Sequence, residues 1–292
     1  VTVALVSRPA AANVAGTARE DSADVAFGAL LRHIAANRFM PVPPGTQSIG
    51  DGDFRAIGAE FLGHFVRLGG LKSTDSVLDI GCGLGRMALP LTQYLREPKG
   101  RYHGLDVVES AIEWCRQTIS PVYRQFFFDH LDVCNDLYNP AGELSPDAVA
   151  LPVETASVDF VIMTSLFTHM RATEAAGYLR EVARVLRPGG RCFVSLFLMD
   201  DAAKAALRAK PSRLAFDPEG AGPEFHAEAA QPLAAVAFDR AYFLDMAAKA
   251  GLVPLKPVVT GCWSGRGGDT YQDLCVLGPL GDKADVAREA RP

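Results

Sequence analysis

The feature that most constrains the fold is a short apolar run that passes straight into a glycine-rich turn, VLDIGCGLGR at residues 77–86. Val77, Leu78 and Ile80 suit a buried strand, whereas Gly81, Gly83 and Gly85 suit a backbone path from which side chains are excluded. The same change of period recurs further along. Apolar runs near 76–80, 101–105, 125–131, 158–164 and 191–198 predict strands, and amphipathic stretches near 84–96, 108–119 and 173–187 predict helices between them. Such alternation is the mark of a doubly wound α/β fold, a mostly parallel sheet with helices on both faces. Thr173 is expected to cap the last of these helices, and the Pro-Gly-Gly of residues 188–190 to end it.

Around this frame the chain divides into a core domain at 53–280 with smaller flanking pieces. Residues 1 to about 24 are Ala-rich without a sustained period and read as a mobile leader; with a helix at about 24–37 they make an N-terminal segment, 1–52. Prolines and glycines in the stretch beginning at Met40 break that helix, and a second, from about 54 to 68, places Ile57, Phe61, Leu62 and Phe65 on one face. Residues 199–236, Ala-rich and interrupted by four prolines, are neither a core strand nor one helix; they are expected to form an insertion at the sheet's carboxyl edge that covers a substrate. A helix near 238–250 and strands near 252–260 and 271–277 follow. The loop CWSGRGGDT between those strands makes them an antiparallel pair, and residues 281–292 are a tail.

Composition narrows the class. Of 292 residues, 49% are hydrophobic, enough for a sizeable core. The formal charge of -5 offers no general basic surface for a nucleic-acid backbone, so no nucleic-acid partner is expected. Six scattered cysteines form no C-x-x-C pair and read as reduced thiols of a cytosolic protein. No apolar stretch reaches the roughly 20 residues of a membrane span, and the run before Arg8 is too short for a signal peptide. A soluble, cytoplasmic protein is therefore expected.

The glycine turn carries the strongest chemical signal. Without side chains a ligand can approach the main chain, and the helix expected to start at 84 would offer unpaired N–H groups. A dinucleotide site would have glycine at the third fingerprint position, where this chain has Arg86. Asp106 ends the next strand, 21 residues beyond Gly85; an acid at that distance can accept from both hydroxyls of a ribose, or simply cap the following helix.

Taken together, residues 77–86, Asp106, HLDV at 130–133, DFVIMTSLFTHM at 159–170 and YLREVARVLRPGGRCFV at 178–194 resemble the class I S-adenosylmethionine-dependent methyltransferases. The likeness covers roughly 53–200 in matching order. It implies a Rossmann-like seven-stranded sheet with an antiparallel last strand. It also implies S-adenosyl-L-methionine as cofactor, with S-adenosyl-L-homocysteine as product. By that resemblance Asp79 and the backbone of Gly81, Cys82, Gly83 and Gly85, beside Arg86, hold the amino-acid end of the cofactor. Asp106 and Val107 take the ribose, and Asp132 and Val133 the adenine, with Asp129 a competing register. Thr164 and Ser165 line the reactive end. The strings FTHM, LYNPAG and WSGR…YQDL further resemble a bacterial group of methyltransferases associated with glycan or secondary-metabolite modification, which points to a hydroxyl on a saccharide or small molecule as acceptor.

Methyl transfer to a hydroxyl needs alignment, exclusion of water and help in removing a proton. His169, just beyond the fourth strand, is the candidate base, although a structural or substrate-positioning role fits the same position. His64 reads as a packing residue. His226 in the insertion, and Trp263 and Arg266 in the last glycine-rich loop, are candidate substrate contacts, each with a bland surface or packing alternative. No metal is demanded; a site built from Asp132, Asp159 and His169 would lack tight ligand spacing. An N-methyltransferase acting on an amine or protein side chain, a nucleic-acid methyltransferase, a nicotinamide dehydrogenase and a non-catalytic binding module are the rival readings.

Overall fold

The computed structural model describes residues 22–37, 40–43, 52–210 and 212–282. Most of the expected leader, part of the Pro- and Gly-rich break and nearly all of the tail lie outside these residues. In chain order the elements are α1 (Ser22–Ala36), α2 (Phe54–Arg67), β1 (Ser76–Ile80), α3 (Ala88–Leu91), β2 (Arg101–Asp106), α4 (Glu109–Thr118), β3 (Phe126–His130), β4 (Val158–Thr164), α5 (Ala172–Val185), β5 (Leu186–Leu196), β6 (Leu198–Met199), α6 (Asp201–Ala209), β7 (Glu224–His226), β8 (Val236–Asp239), α7 (Arg240–Lys249), β9 (Leu252–Pro254) and β10 (Asp273–Pro279).

Seven strands form one sheet in the order β3-β2-β1-β4-β5-β10-β9. Strands β1 to β5 pair in parallel, and β10 runs antiparallel to both β5 and β9, so the single reversed strand is the last in sequence. This is the Rossmann-like sheet expected. Because side chains alternate along a strand, β1 and β4 each feed two cores. Val77, Phe160 and Ile162 face one core, with α2 and α4; Leu78, Ile80, Val161 and Met163 face the other, with α5 and α7. The α2 helix is seated on the sheet by rings, Phe65 lying 4.9 Å from Phe193 and 6.0 Å from Phe160 between centroids.

Several boundaries differ from expectation. Helix is confined to α3 where 84–96 was expected, because Gly83 and Gly85 take positive φ and turns replace regular helix on either side. The α5 helix begins at Ala172 with Arg171 as N-cap, so Thr173 lies inside it rather than capping it. Carboxylates explain the shift: Glu174 accepts from the Arg171 backbone N–H at 3.0 Å, and Glu224 from that of Ala172 at 2.7 Å. The β5 strand starts at Leu186, five residues early, absorbing Gly189 at φ 75° and a register shift opposite Val158 and Phe160. The β9 strand is only three residues long, and a long connection bridged at Val259 and Leu274 joins it to β10.

The insertion has structure of its own. Its β7 and β8 pair antiparallel, β6 joins β8 in parallel, and α6 precedes them, giving a second, three-stranded sheet at the carboxyl end of β5. Among the described residues no helix is long and apolar enough to cross a membrane. All six cysteines are free thiols.

Candidate cofactor and acceptor site

A cavity opens at the carboxyl ends of β1, β2 and β4, where the strand order reverses direction and an open α/β sheet leaves a crevice. Its floor is the turn after β1, with Gly81, Cys82, Gly83 and Arg86 among the lining residues. Gly81, Gly83 and Gly85 have φ of 81°, 51° and 75°, so the run requires glycine by conformation as well as by space. A Cβ at 81 would stand 3.0 Å from Leu166 Cδ1, and one at 85 would stand 2.9 Å from Ile119 Cδ1. Gly81 therefore keeps the cradle open against the β4 corner, and Gly85, which does not line the cavity, lets α4 pack behind it.

The N–H groups of the glycine turn itself are engaged. Gly81 and Cys82 donate to the Leu105 carbonyl at 2.8 and 3.0 Å, Gly85 to the Cys82 carbonyl at 2.9 Å, and Gly83 to Asp106 Oδ2 at 2.6 Å. With only a four-residue helix following, the turn is a shaped cradle rather than a helix-terminus anion site. Asp106 lines the cavity, and its other oxygen accepts from the Val108 N–H at 2.8 Å, so it organises both the glycine turn and the start of α4. Burial raises its pKa from the ordinary aspartate value, against those backbone hydrogen bonds.

Asp79 lies beneath this surface, fully buried and absent from the cavity wall. One oxygen accepts from the Tyr102 hydroxyl at 2.6 Å, and the other has no hydrogen-bond partner. Burial lifts its pKa to about 7, with Asp106 adding to the rise and Tyr102 opposing it. Asp132 is likewise not on the wall; it accepts from Asn139 Nδ2 at 3.0 Å, while Val107 and Val133 do line the cavity. Asp129 does not line the cavity and is bound to His103 and Arg116 at 2.8 and 2.7 Å.

Thr164, Ser165 and His169 meet at the end of β4, all lining the cavity. His169 Nδ1 lies 3.0 Å from the Leu233 carbonyl in the insertion. A carbonyl only accepts, so Nδ1 carries the proton, and in the neutral ring the Nε2 lone pair can accept one. Burial lowers the pKa of this imidazole, with the Leu233 bond opposing the fall.

The remaining candidates lie elsewhere. Trp263 is 1% exposed, packed on Phe197 and Phe216, and its indole N–H donates to Asp273 at 2.7 Å. Its apolar ring is thus consumed by the core of the insertion rather than offered to a substrate. Arg266 is committed to Asp200 at 2.8 Å and to Ser264 at 2.9 Å, and His226 to the Pro232 carbonyl at 2.9 Å; neither lines the cavity. His64 packs against Phe61 beside Glu60. Asp159 is at the amino end of β4, held by Arg187 at 2.8 and 2.9 Å, far along the strand from His169. Among the described residues no three His, Cys, Asp or Glu gather as metal ligands.

Tyr138, Met170, Glu174 and Tyr178 also line the cavity, although the sequence marked none of them as a candidate site residue. Tyr178 was visible only as the first residue of the string at 178–194. Tyr138 sits in LYNPAG, where Asn135 Oδ1 accepts from the Leu137 and Tyr138 N–H groups and turns the ring onto His169, centroids 5.5 Å apart.

Residues 78–194 match the protein family described as a methyltransferase domain. Within residues 78–194, then, the chain is similar to methyltransferases. It is 30% identical over 115 residues to the tRNA N(3)-methylcytidine methyltransferase Mettl2 of Drosophila melanogaster, the match covering 39% of this chain and 32% of the relative. It is 29% identical over 128 residues to an O-methyltransferase of Pyrenophora dematioidea, covering 43% of this chain and 40% of the relative. The chain thus spans well under half of the length of these relatives. In fold it is similar to the PH0226 protein of Pyrococcus horikoshii, with TM-score 0.55 and 17% identity over 83% of this chain and 99% of that one. The methyltransferase match favours that reading over the dehydrogenase alternative. The expectation against a nucleic-acid partner finds no support in a relative named for tRNA.

Proposed function

We propose that the methyltransferase domain moves a methyl group to a hydroxyl of a small molecule or saccharide, with His169 as general base. The observation that carries this reading is the Leu233 carbonyl on His169 Nδ1, which sets the tautomer that leaves Nε2 basic on a residue lining the cavity. When bound, S-adenosylmethionine supplies a methyl group already activated by a sulfonium, so the protein's own tasks are binding, alignment and proton removal.

The cradle fits that cofactor: glycines at positive φ leave the floor low, and Asp106 stands at the wall with lone pairs for ribose hydroxyls. Gly81, Cys82, Gly83 and Arg86 would hold the methionine end, Val107 and Val133 would flank the adenosine, and Thr164 and Ser165 would border the methyl. The insertion serves as cover over the acceptor, and free thiols agree with a cytosolic setting.

Calorimetric titration with S-adenosylhomocysteine tests the cofactor half, and absence of binding would overturn it. Mass spectrometry of hydroxylated metabolite pools, seeking a gain of one methyl, tests the acceptor half. Binding without any turnover would leave a cofactor-binding module instead.

The likeness to Mettl2 favours a second reading, methylation of a nucleobase nitrogen in tRNA. Incubation with bulk tRNA and methyl-labelled cofactor, followed by nucleoside analysis, separates the two. Binding to tRNA that weakens steeply with salt would support this alternative.

A further inference from the structure

The motif WSGR…YQDL is not accounted for by the cofactor cradle, and its glutamine stands at a junction of three segments. Gln272, 3% exposed, accepts at Oε1 from the Ser195 hydroxyl of β5 at 2.6 Å and from the Ser165 hydroxyl of the β4 corner at 3.1 Å. Ser195 Oγ in turn accepts from the Ser165 backbone N–H at 3.0 Å. Ser165 is one of two described non-glycine residues with positive φ, at 58°, a conformation that costs a residue with a Cβ and persists only where its surroundings enforce it. The next residue, Leu166, is the one whose Cδ1 would stand 3.0 Å from a Cβ at Gly81.

We propose that Gln272 is a positioning residue for cofactor capture: its buried amide oxygen clamps Ser165 in the left-handed conformation, which seats Leu166 against the Gly81 turn and sets the width of the cradle. The inference rests on the cofactor reading above. It gives the YQDL string a function without contact to any ligand, since Gln272 acts wholly through Ser165 and Ser195.

The test is calorimetry with S-adenosylhomocysteine on the full chain, comparing wild type, Gln272→Ala, the isosteric Gln272→Glu, Ser165→Ala and the Gln272→Ala/Ser165→Ala pair. Gln272→Ala should weaken binding about tenfold, as for loss of a buried hydrogen-bond junction. Gln272→Glu, which keeps acceptor oxygens for both hydroxyls, should restore binding to within about threefold. The double variant should bind no worse than the weaker single one, the non-additivity expected of residues in one network. Wild-type failure to bind would defeat the cofactor reading itself. Wild-type binding with unchanged affinity in a folded Gln272→Ala, or additive losses in the pair, would overturn the positioning role alone. Should Gln272→Ala not fold, Gln272→Glu and Ser165→Ala still decide: weak binding by the glutamate variant, or wild-type binding by Ser165→Ala, counts against it.

Discussion

Glu224, on the first strand of the insertion's hairpin, accepts a hydrogen bond from the backbone N–H of Ala172 at 2.7 Å and so closes the amino terminus of α5 from the insertion. Together with the Leu233 carbonyl on His169, it fastens the insertion to the segment that runs from the candidate base to the start of α5. The insertion is therefore part of the site's framework.

Removing that carboxylate should loosen the turn. Glu224→Ala takes an acceptor and a negative charge from a helix start and is expected to cost about 1 kcal/mol. Glu224→Gln, which keeps an acceptor oxygen, should recover most of it. Urea unfolding midpoints for the pair would check this, and equal midpoints for wild type and Glu224→Ala would refute the fastening.

Because burial holds His169 below the ordinary histidine value of about 6.5, the neutral base persists into mildly acid solution. Turnover should be level at neutral pH and fall on an acid limb centred below about 6.5, and His169→Ala should lower kcat by about a hundredfold with cofactor affinity retained. Stability follows the same sign. The folded protein prefers the neutral ring, so this contribution is fully present above the unfolded value and is lost as pH falls through it towards the lower folded value. A pH–rate profile with a midpoint above 7 would exclude His169 as the base.

Asp79 has the opposite linkage. Unfolded, its carboxyl ionises near pH 4, whereas in the fold burial lifts it to about 7. Between those values the folded state holds the extra proton, so stability declines as pH rises, and the cost is complete above about pH 7. Asp79→Asn keeps an acceptor for the Tyr102 hydroxyl and removes the buried charge. Its melting temperature should exceed that of wild type at pH 8, with the difference shrinking towards pH 4. Thermal scans across that range would reveal no such trend if Asp79 were an ordinary surface-like acid.

How much of this was readable beforehand depends on the range of the interactions. The strands β1 and β4 fall where apolar runs placed them, since a run buried on both faces declares itself locally. Ser165 and His169 reach the cavity because the end of a central strand at the switch point has nowhere else to face. Trp263, by contrast, could be read as a substrate contact or as a ring packed on the core, and only tertiary packing on Phe197 and Phe216 decides where its ring is spent. Leu233, Glu224 and Gln272 act through single hydrogen bonds to residues distant in sequence, and no local pattern marks such partners.

Asp106 allows the sharpest separation of scaffold from ligand contact. Each of its oxygens already accepts one backbone N–H, from Gly83 at 2.6 Å and Val108 at 2.8 Å, and each retains a further lone pair for a ribose hydroxyl. Asparagine at this position has one oxygen and one amide nitrogen, so one of the two N–H groups would face another donor. Asp106→Asn should therefore lose about 1–3 kcal/mol of stability before any ligand is added, as expected for an unsatisfied buried donor. If the carboxylate also binds ribose, affinity for S-adenosylhomocysteine should fall by more than about tenfold, the loss of a charge-assisted hydrogen bond adding to the disordered cradle. Adenosine, which keeps the ribose and lacks the methionine tail, should suffer the same fractional loss in calorimetry. A variant that is destabilised yet binds both ligands like wild type would reduce Asp106 to a scaffold residue.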